Sequence, residues 1–300
     1  MRFSLVVPLA PERQIKILDS INKADFDKNQ VEVIVEVGKN PSVNRNNAAR
    51  KARGEIIGFL DDDAMVRQDI LKNVDAFFTS HQNHSIVGGP QLTTSNESFF
   101  GRYSGYALSS FFGTMGMSAR YKKAKLNLDA NEVHLTSANM FVKREVLEKI
   151  GGFNPDLFPG EDPEFLARAK LAGFKIAYSP EVVVFHKRRS TPGAFFRQLF
   201  TYGKTRLKKE SMMKTSPGLI FFTPALFVVY LAFLLPLALM SRFFLIPLSI
   251  YLGVAFVFSG WISIKNKDPL AVLLVPAMFL LLHVAYGCGM IAFVVRKLSA

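Results

Sequence analysis

The stretch GEIIGFLDDDAMV, residues 54–66, is an apolar run that ends in three consecutive aspartates. Residues 55–61 have the composition of a buried β-strand, and Asp61, Asp62 and Asp63 stand at its carboxyl end. Two unit charges about 4 Å apart repel by roughly 4 kcal/mol at an effective dielectric near 20. The cluster therefore predicts a positive partner, and carboxylate oxygens favour a hard divalent cation. A solvated acidic turn is the alternative.

Two further β-branched runs precede this strand, FSLVVP at residues 3–8 and VEVIVEV at residues 31–37. Polar, helix-compatible stretches separate the runs, and this alternation is typical of βαβ units on a mainly parallel sheet. An α/β fold of this kind binds ligands beyond the carboxyl ends of its strands. The Gly-x-Gly-x-x-Gly fingerprint does not follow the first strand, so dinucleotide-dependent hydride transfer has little support.

The last third of the chain is far more apolar than the rest. Three segments, residues 218–240, 243–264 and 269–295, each contain the roughly 20 apolar residues that a membrane-spanning helix needs. The sequence therefore predicts a membrane protein with about three C-terminal transmembrane helices.

The net charge of +13 is concentrated just before the first apolar segment. Between Lys187 and Lys214 nine Lys or Arg residues stand against the single acid Glu210. Such a cluster is typical of a cytoplasmic, lipid-facing position. Nucleic acid is excluded as a partner because no aromatic and basic recognition module accompanies the charge.

Residues 191–209 within this basic region predict an amphipathic helix. One helical face collects the apolar and small residues Phe196, Leu199, Phe200, Gly203 and Leu207. This pattern is typical of a helix lying in the membrane interface. A basic helix packed on its own domain is the alternative.

The region between the aspartates and the basic cluster predicts further regular elements. Strands are expected at residues 139–143 and 182–186, the second ending at His186. Helices are expected from residue 144 to Gly151 and from Asp162 to Gly173. Residues 91–132 have no clear period and are expected to be irregular.

Four ordered motifs resemble the family 2 glycosyltransferases, which are inverting enzymes of the GT-A fold with nucleotide-sugar donors. They are NRNNAARKARGEIIGFLDDD (44–63), TSANMFVKREVLEKIGGF (136–153), GED (160–162) and VVVFH (182–186). The resemblance covers residues 3 to about 190. It implies a GT-A catalytic domain at 1–190, an interfacial helix and linker at 191–217 and a transmembrane region at 218–300, as in membrane-anchored members.

The resemblance also implies roles for individual residues. The donor would contact Pro8, Glu36, Arg45, Asp61 and Asp62. Mg²⁺ or Mn²⁺ would be held by Asp63, Asp61 and His186. The acceptor side would include Ser137, Ala138, Asn139 and Gly160. Glu36 stands where the family usually has an aspartate that contacts the nucleobase, and this departure leaves the nucleobase open. A UDP-sugar is the favoured donor, and GDP- and dTDP-sugars are alternatives.

The motif FPGEDPEF, residues 158–165, contains the candidate catalytic acids. Inversion by direct displacement needs a base that takes the acceptor hydroxyl's proton, and Asp162 is the candidate. Glu161 would assist by hydrogen bonding or by raising its neighbour's pKa through like charge. Alternatively, both acids only stabilise the start of the following helix.

The membrane segments point to an acceptor held in the membrane. The predicted function is transfer of one sugar to a hydroxyl of a lipid-linked saccharide in cell-surface glycan synthesis, with the catalytic domain in the cytoplasm. The only tryptophan, Trp261, lies inside an apolar segment, so the Gln-x-x-Arg-Trp motif of processive synthases is missing. Two alternatives are sugar transfer to a polyprenyl phosphate and a non-catalytic nucleotide-binding membrane scaffold.

Overall fold

The computed structural model describes residues 1–213 and 218–299, and strands alternate with helices through the first part of the chain. In chain order, its strands and helices up to residue 114 are β1 (Phe3–Leu9), α1 (Leu18–Asn22), β2 (Val31–Val37), α2 (Pro41–Lys51), β3 (Ile56–Leu60), β4 (Ala64–Val66), α3 (Ile70–Ser80), β5 (His84–Gly88), β6 (Gln91–Thr93), α4 (Phe99–Ser109) and α5 (Phe111–Thr114).

The second part begins with mixed elements and ends with long helices. These are β7 (Asn139–Lys143), α6 (Arg144–Ile150), α7 (Glu161–Leu171), β8 (Lys175–Tyr178), β9 (Val184–His186), α8 (Pro192–Met213), α9 (Thr223–Met240), α10 (Ile246–Asn266) and α11 (Ala271–Leu298). The expected strands and helices between residues 139 and 186 are all present, with shifts of up to two residues at their ends.

The chain divides into two compact units. The sheet unit contains residues 1–96 and 116–187, and the helical unit contains residues 97–115 and 188–300. The helical unit therefore includes α4 and α5, although in sequence these helices lie between β6 and β7 of the sheet unit.

The main sheet has the strand order β2-β1-β3-β7-β5-β8. All neighbours in it are parallel except β7, which runs antiparallel to both β3 and β5. Both faces are covered, since β3 alternates between two core clusters: Ile56 and Leu60 face one, Ile57 and Phe59 the other. This explains why β3 is apolar throughout, and the predicted mainly parallel α/β fold is confirmed.

A second, three-stranded sheet has the order β4-β9-β6. β4 and β9 pair in antiparallel fashion, with Ala64 opposite His186. Because Ala64 directly follows the aspartates, this short ladder brings the end of β9 to the end of β3.

The expectation of irregular structure at residues 91–132 is wrong for β6, α4 and α5, of which α4 is the longest. Ser98 caps this helix, since its hydroxyl accepts a hydrogen bond from the Gly101 N–H at 3.0 Å. Tyr103 and Ala107 are buried one turn apart. Glycine and serine residues between the apolar ones obscured the helical period in the sequence.

Helix α8 confirms the helix expected at residues 191–209 and continues to Met213. Phe195, Leu199, Gly203 and Leu207 are buried at intervals of four residues, and the charged residues Lys209 and Glu210 are buried near the end of the helix. Phe195, rather than the predicted Phe196, belongs to this face. The predicted linker's residues 214–217 lie outside the described part of the chain.

Glycines allow α8 and α11 to pack with their backbones in contact. A Cβ atom added at Gly203 would lie 2.0 Å from the Tyr286 carbonyl oxygen, and one at Gly289 would lie 1.9 Å from that of Phe200. Gly287 makes a similar approach to Pro224 at the start of α9. The glycines of α11 therefore serve helix packing.

The structure confirms three C-terminal helical segments that are long and apolar enough to cross a membrane. Their bounds are Leu219–Met240, Arg242–Asn266 and Ala271–Leu298. The first two are joined by the extended residue Ser241, after which a single 3₁₀ turn at Arg242–Leu245 leads into α10.

Replacing Gly289 with alanine is expected to destabilise the helical unit. The new Cβ would meet backbone atoms of α8 at 1.9 Å, and overpacking of this kind costs about 1–3 kcal/mol. We expect the Tm of the detergent-solubilised protein to fall by roughly 5 °C in a thermal unfolding scan. Gly253→Ala is the matched control, because a Cβ there meets no atom within 4 Å. An equal change in both variants would contradict close α8–α11 packing.

Candidate functional site

The aspartates after β3 are compensated by three basic side chains. Asp61 accepts a hydrogen bond from Arg45 at 2.9 Å. Asp63 accepts one from Arg13 at 2.7 Å and lies 3.0 Å from the His186 Nε2. The positive partners that the cluster predicts are therefore supplied by basic residues of the chain itself. A bound cation would add to them.

The topology brings these partners together from distant parts of the sequence. β1 lies beside β3, so the loop after β1 that contains Arg13 runs past the aspartates. Backbone N–H groups of Lys16 and Ile17 donate to the Asp62 carbonyl at 2.8 and 3.1 Å and hold this loop in place. His186 arrives through the pairing of β9 with β4.

Asp61, Asp63 and His186 form a group that could hold a metal ion. One ligand atom from each lies within 4.8 Å of the others. The His186 Nδ1 lies 2.9 Å from the Lys187 carbonyl, so Nδ1–H donates to it and Nε2 is left to face the carboxylates. Fixing the histidine through its other ring nitrogen is typical of metal ligands. Two carboxylates and an imidazole fit a divalent cation such as Mn²⁺ or Mg²⁺.

The electrostatics of this group favour charged side chains. Burial by itself would raise the pKa of Asp63, but the hydrogen bonds and charges of His186 and Arg13 outweigh it and hold the pKa well below its usual range. Burial likewise opposes charge on His186, yet its pKa is raised by the hydrogen bond and charge of Asp63. Asp63 is therefore kept ionised near neutral pH.

Asp62 differs from its two neighbours. It is buried, with 4% of its surface exposed, and burial together with the like charge of Asp63 raises its pKa. Its Oδ2 lies 3.2 Å from the Arg13 Nε and is not among the candidate metal ligands. The three aspartates thus have three environments.

Arg45 connects the aspartates with the candidate catalytic acids. Its guanidinium donates to Asp61 at 2.9 Å and to Glu161 at 2.7 Å, and it lies 5.6 Å from the centre of the Phe153 ring. Arg45 is 4% exposed. The two terminal nitrogens of this buried guanidinium each donate to one carboxylate, so Asp61 and Glu161 are held in a fixed arrangement around one group.

Glu161 and Asp162 occupy the first turn of α7. Burial, reinforced by the charge of Asp162, raises the pKa of Glu161 to about 7. Burial also raises the pKa of Asp162, while the charges of Arg120 and Arg45 and a hydrogen bond from the Ser137 backbone N–H oppose the rise. A carboxyl group with a raised pKa can exchange a proton near neutral pH.

Gly160 and Ser137 shape the surroundings of these acids. Gly160 has a φ of 117°, a conformation that favours glycine, and its N–H donates to the Glu161 carboxylate at 2.9 Å. Ser137 and Ala138 are each 5% exposed. Two of the predicted acceptor-side residues, Gly160 and Ser137, therefore contact the candidate acids through their backbone N–H groups, and Ala138 follows Ser137 in the chain.

Asn139 is placed differently from the other predicted acceptor-side residues. Its side chain is fully buried, and its amide donates to the carbonyl oxygens of Pro90 and Val182 at 3.3 and 2.7 Å. This arrangement favours a structural role over direct contact with an acceptor.

Pro8 and Glu36, two predicted donor contacts, stand opposite each other at the ends of β1 and β2. Pro8 is buried in the sheet. Glu36 is partly exposed and forms a 2.7 Å ion pair with Lys51 of α2.

Sequence reasoning missed two basic residues near the acids, Arg13 and Arg120. Arg120 lies near Asp162, and its Nε donates to the Val133 carbonyl at 2.9 Å. Arg13 had one usable signal, because a basic residue soon after β1 falls at the edge where the carboxyl ends of β1 and β3 meet. Arg120 lies where no period was recognised.

Comparisons with known proteins agree with this architecture. The mannosyltransferase PcManGT from Pyrobaculum calidifontis, solved with GDP-Man and Mn²⁺, aligns with 99% of this chain and 88% of its own at a TM-score of 0.59 and 17% identity. At that identity the likeness shows the fold, which is GT-A.

Two curated relatives are glycosyltransferases. The O-antigen chain rhamnosyltransferase WbaN of Salmonella anatum is 28% identical over 187 residues, covering 62% of this chain and 58% of that protein. The glycosyltransferase AglE of Haloferax volcanii is 25% identical over 164 residues, covering 55% and 49%. The chain thus spans about half to three fifths of the length of these relatives. A family model described as "Glycosyltransferase like family 2" matches residues 4–203, and the chain belongs to this family.

Proposed function

We propose that the protein is a membrane-bound, inverting, metal-dependent glycosyltransferase. It moves one sugar from a nucleotide-diphosphate sugar to a hydroxyl of a lipid-linked saccharide or another membrane-associated acceptor. The observation that supports this most is the Arg45 bridge, which joins Asp61 of the aspartate cluster to Glu161, the neighbour of the candidate base. A donor site and a proton acceptor are thereby coupled through one buried group.

In this proposal the aspartate cluster binds the donor. Asp61 and Asp62 lie against the ribose and diphosphate, with Pro8, Glu36 and Arg45 as further donor contacts. Asp63, Asp61 and His186 hold Mg²⁺ or Mn²⁺, which supplies positive charge for the leaving diphosphate. A UDP-sugar is the favoured donor, while a GDP- or dTDP-sugar stays possible; the complex of PcManGT with GDP-Man and Mn²⁺ supports the general class.

Asp162 acts as the general base. Its carboxylate takes the proton of the acceptor hydroxyl as that oxygen attacks the anomeric carbon, and the bond from this carbon to the diphosphate oxygen breaks. Glu161 keeps Arg45 in position and assists Asp162 by hydrogen bonding or by its like charge. Ser137, Ala138 and Gly160 form the acceptor side around the base, to which Ser137 donates its N–H.

The membrane segments support an acceptor with a lipid anchor. Three helices are long and apolar enough to span a membrane, and relatives include O-antigen chain rhamnosyltransferases. The basic residues of α8 and the preceding loop favour a cytoplasmic sheet unit on the cell membrane, with α8 at the lipid interface. In this proposal the enzyme takes part in cell-envelope polysaccharide synthesis.

Purified full-length protein supplied with labelled nucleotide sugars and two acceptors tests the proposal. We expect Mn²⁺- or Mg²⁺-dependent transfer to a polyprenyl-diphosphate-linked sugar. Labelling of bare polyprenyl phosphate instead would favour the lipid-phosphate-sugar alternative. Nucleotide binding without transfer from any UDP-, GDP- or dTDP-sugar to either acceptor would favour the scaffold.

The pH dependence of transfer should report the raised carboxyl pKa values. A base works in its deprotonated form and burial raises the pKa of Asp162, so kcat/KM should begin to fall with decreasing pH above the usual titration range of an aspartate. Glu161→Gln removes a like charge from beside Asp162 and should move the midpoint of the profile to lower pH. A profile that stays flat down to pH 5 in the wild type would contradict a base of raised pKa.

A further inference from the structure

The aspartate cluster is held by two arginines with very different freedom. Arg45 is 4% exposed and fixed by Asp61, Glu161 and the Phe153 ring. The Arg13 side chain is 49% exposed. Its guanidinium forms ion pairs with Asp62 and Asp63. Arg13 can therefore leave the cluster with little change elsewhere.

Arg13 shares a carboxylate with the candidate metal group. The two oxygens of Asp63 are used separately, with Oδ1 3.0 Å from the His186 Nε2 and Oδ2 2.7 Å from the Arg13 Nη2. The turn before Arg13 is unusual, since Glu12 has a φ of 66°, in the left-handed region that side chains rarely adopt. One carboxylate oxygen of Asp63 is thus paired with Arg13, and the other faces His186, its partner in the candidate metal group.

We propose that Arg13 is a built-in counter-cation that neutralises Asp62 and Asp63 until a divalent ion binds and then turns to the donor's diphosphate. This inference rests on the metal-dependent donor site proposed above. It adds that binding of the metal ion and binding of the nucleotide depend on each other. Arg13 weakens binding of the metal ion when no nucleotide is present, and it strengthens binding of the ion and the nucleotide together. The two ligands therefore bind cooperatively.

The reason is charge. A divalent ion held by Asp61, Asp63 and His186 repels a guanidinium on the same carboxylate, so Arg13 weakens binding of the ion by itself. A diphosphate brings negative charge that attracts the ion and Arg13 alike, and guanidinium is well suited to phosphate oxygens. By linkage, nucleotide and ion must each strengthen binding of the other by the same factor.

Mn²⁺ binding to the full-length protein in detergent tests the exchange directly, with free Mn²⁺ measured by electron paramagnetic resonance. Without nucleotide, Arg13→Gln should bind Mn²⁺ on the order of fivefold to tenfold more tightly than the wild type. UDP or GDP should increase the Mn²⁺ affinity of the wild type, and this increase should be about tenfold smaller in Arg13→Gln.

Two variants separate this effect from a general change in charge. Arg13→Lys keeps a positive side chain and should retain most of the wild-type coupling. Arg50→Gln removes the same charge from the exposed face of α2, where Arg50 contacts Asn47, and should leave both affinities unchanged. A thermal unfolding scan of each variant checks that it is folded.

Equal or weaker Mn²⁺ binding by folded Arg13→Gln without nucleotide would overturn the exchange. The exchange is also overturned if the nucleotide increases the Mn²⁺ affinity of Arg13→Gln as much as it does that of the wild type. These readouts need no turnover, so they are independent of the acceptor and of the sugar transferred. If the protein binds Mn²⁺ and UDP with the expected coupling but transfers no sugar, the proposed function fails while the exchange stands.

Discussion

Replacing Asp162 with asparagine is expected to reduce transfer to a hydroxyl acceptor by about 10³-fold, within the range for loss of a general base. An amide has nearly the same shape as the carboxyl group but cannot take the proton. Donor affinity should change little, since Asp162 is not a member of the candidate metal group formed by Asp61, Asp63 and His186. Steady-state kinetics and a nucleotide-binding assay on the same preparation give both quantities.

The acceptor decides how this variant is interpreted. A polyprenyl phosphate is already ionised near neutral pH and needs no base, so Asp162→Asn should transfer sugar to it almost normally if that alternative is correct. Asp129→Asn is the control, because Asp129 is an exposed acid paired with Lys170. Full transfer to a hydroxyl acceptor by Asp162→Asn would show that the base assignment is wrong, and Glu161 would be the next candidate.

The sequence could predict the parts of the site that stand at strand ends. β3 is buried on both faces, so its apolar run was unmistakable, and the aspartates mark its end. His186 likewise ends a β-branched run. Their approach could be expected only through the family resemblance, because the antiparallel pairing of β4 with β9 is a contact between segments about 120 residues apart that no local pattern specifies.

The partners of the charged groups were harder to predict. Arg45 was identified, yet its role as a bridge depends on the distance between α2 and the start of α7, which sequence spacing does not contain. Arg13 lies in an irregular loop, where side-chain direction is set by backbone turns such as the one at Glu12. Local propensity predicts elements, whereas these ion pairs result from how the elements pack.

Helix α4 was missed for a different reason. Its buried face alternates large residues such as Tyr103 with small ones such as Gly101, so hydrophobicity alone shows a weak period. Small residues at helix contacts signal close packing rather than exposure, as Gly289 does in α11. A search for small residues at helical spacing would have been the better test in this part of the chain.

Asp63→Ala is expected to abolish the metal response and most of the activity. It removes a ligand that both His186 and Arg13 contact, at 3.0 and 2.7 Å. We expect Mn²⁺ affinity to fall by at least about 100-fold and sugar transfer by about 10³-fold, since the charge on the leaving diphosphate would lose its main stabilisation. Mn²⁺ resonance and steady-state transfer assays measure the two losses separately.

Stability must be followed in the same experiment, because Asp63 also stabilises the fold. The pKa of Asp63 is held below its ordinary value, so its ion pairs contribute stability at neutral pH that is lost as the pH falls through the acid range. Asp63→Asn keeps the size of the side chain and separates a lost charge from a lost shape. Asp25→Ala, which breaks an exposed pair with Lys72, should change neither Mn²⁺ binding nor transfer. If folded Asp63→Asn still binds Mn²⁺ like the wild type, the ion is held elsewhere, and the diphosphate of the donor cannot be assigned to this strand end.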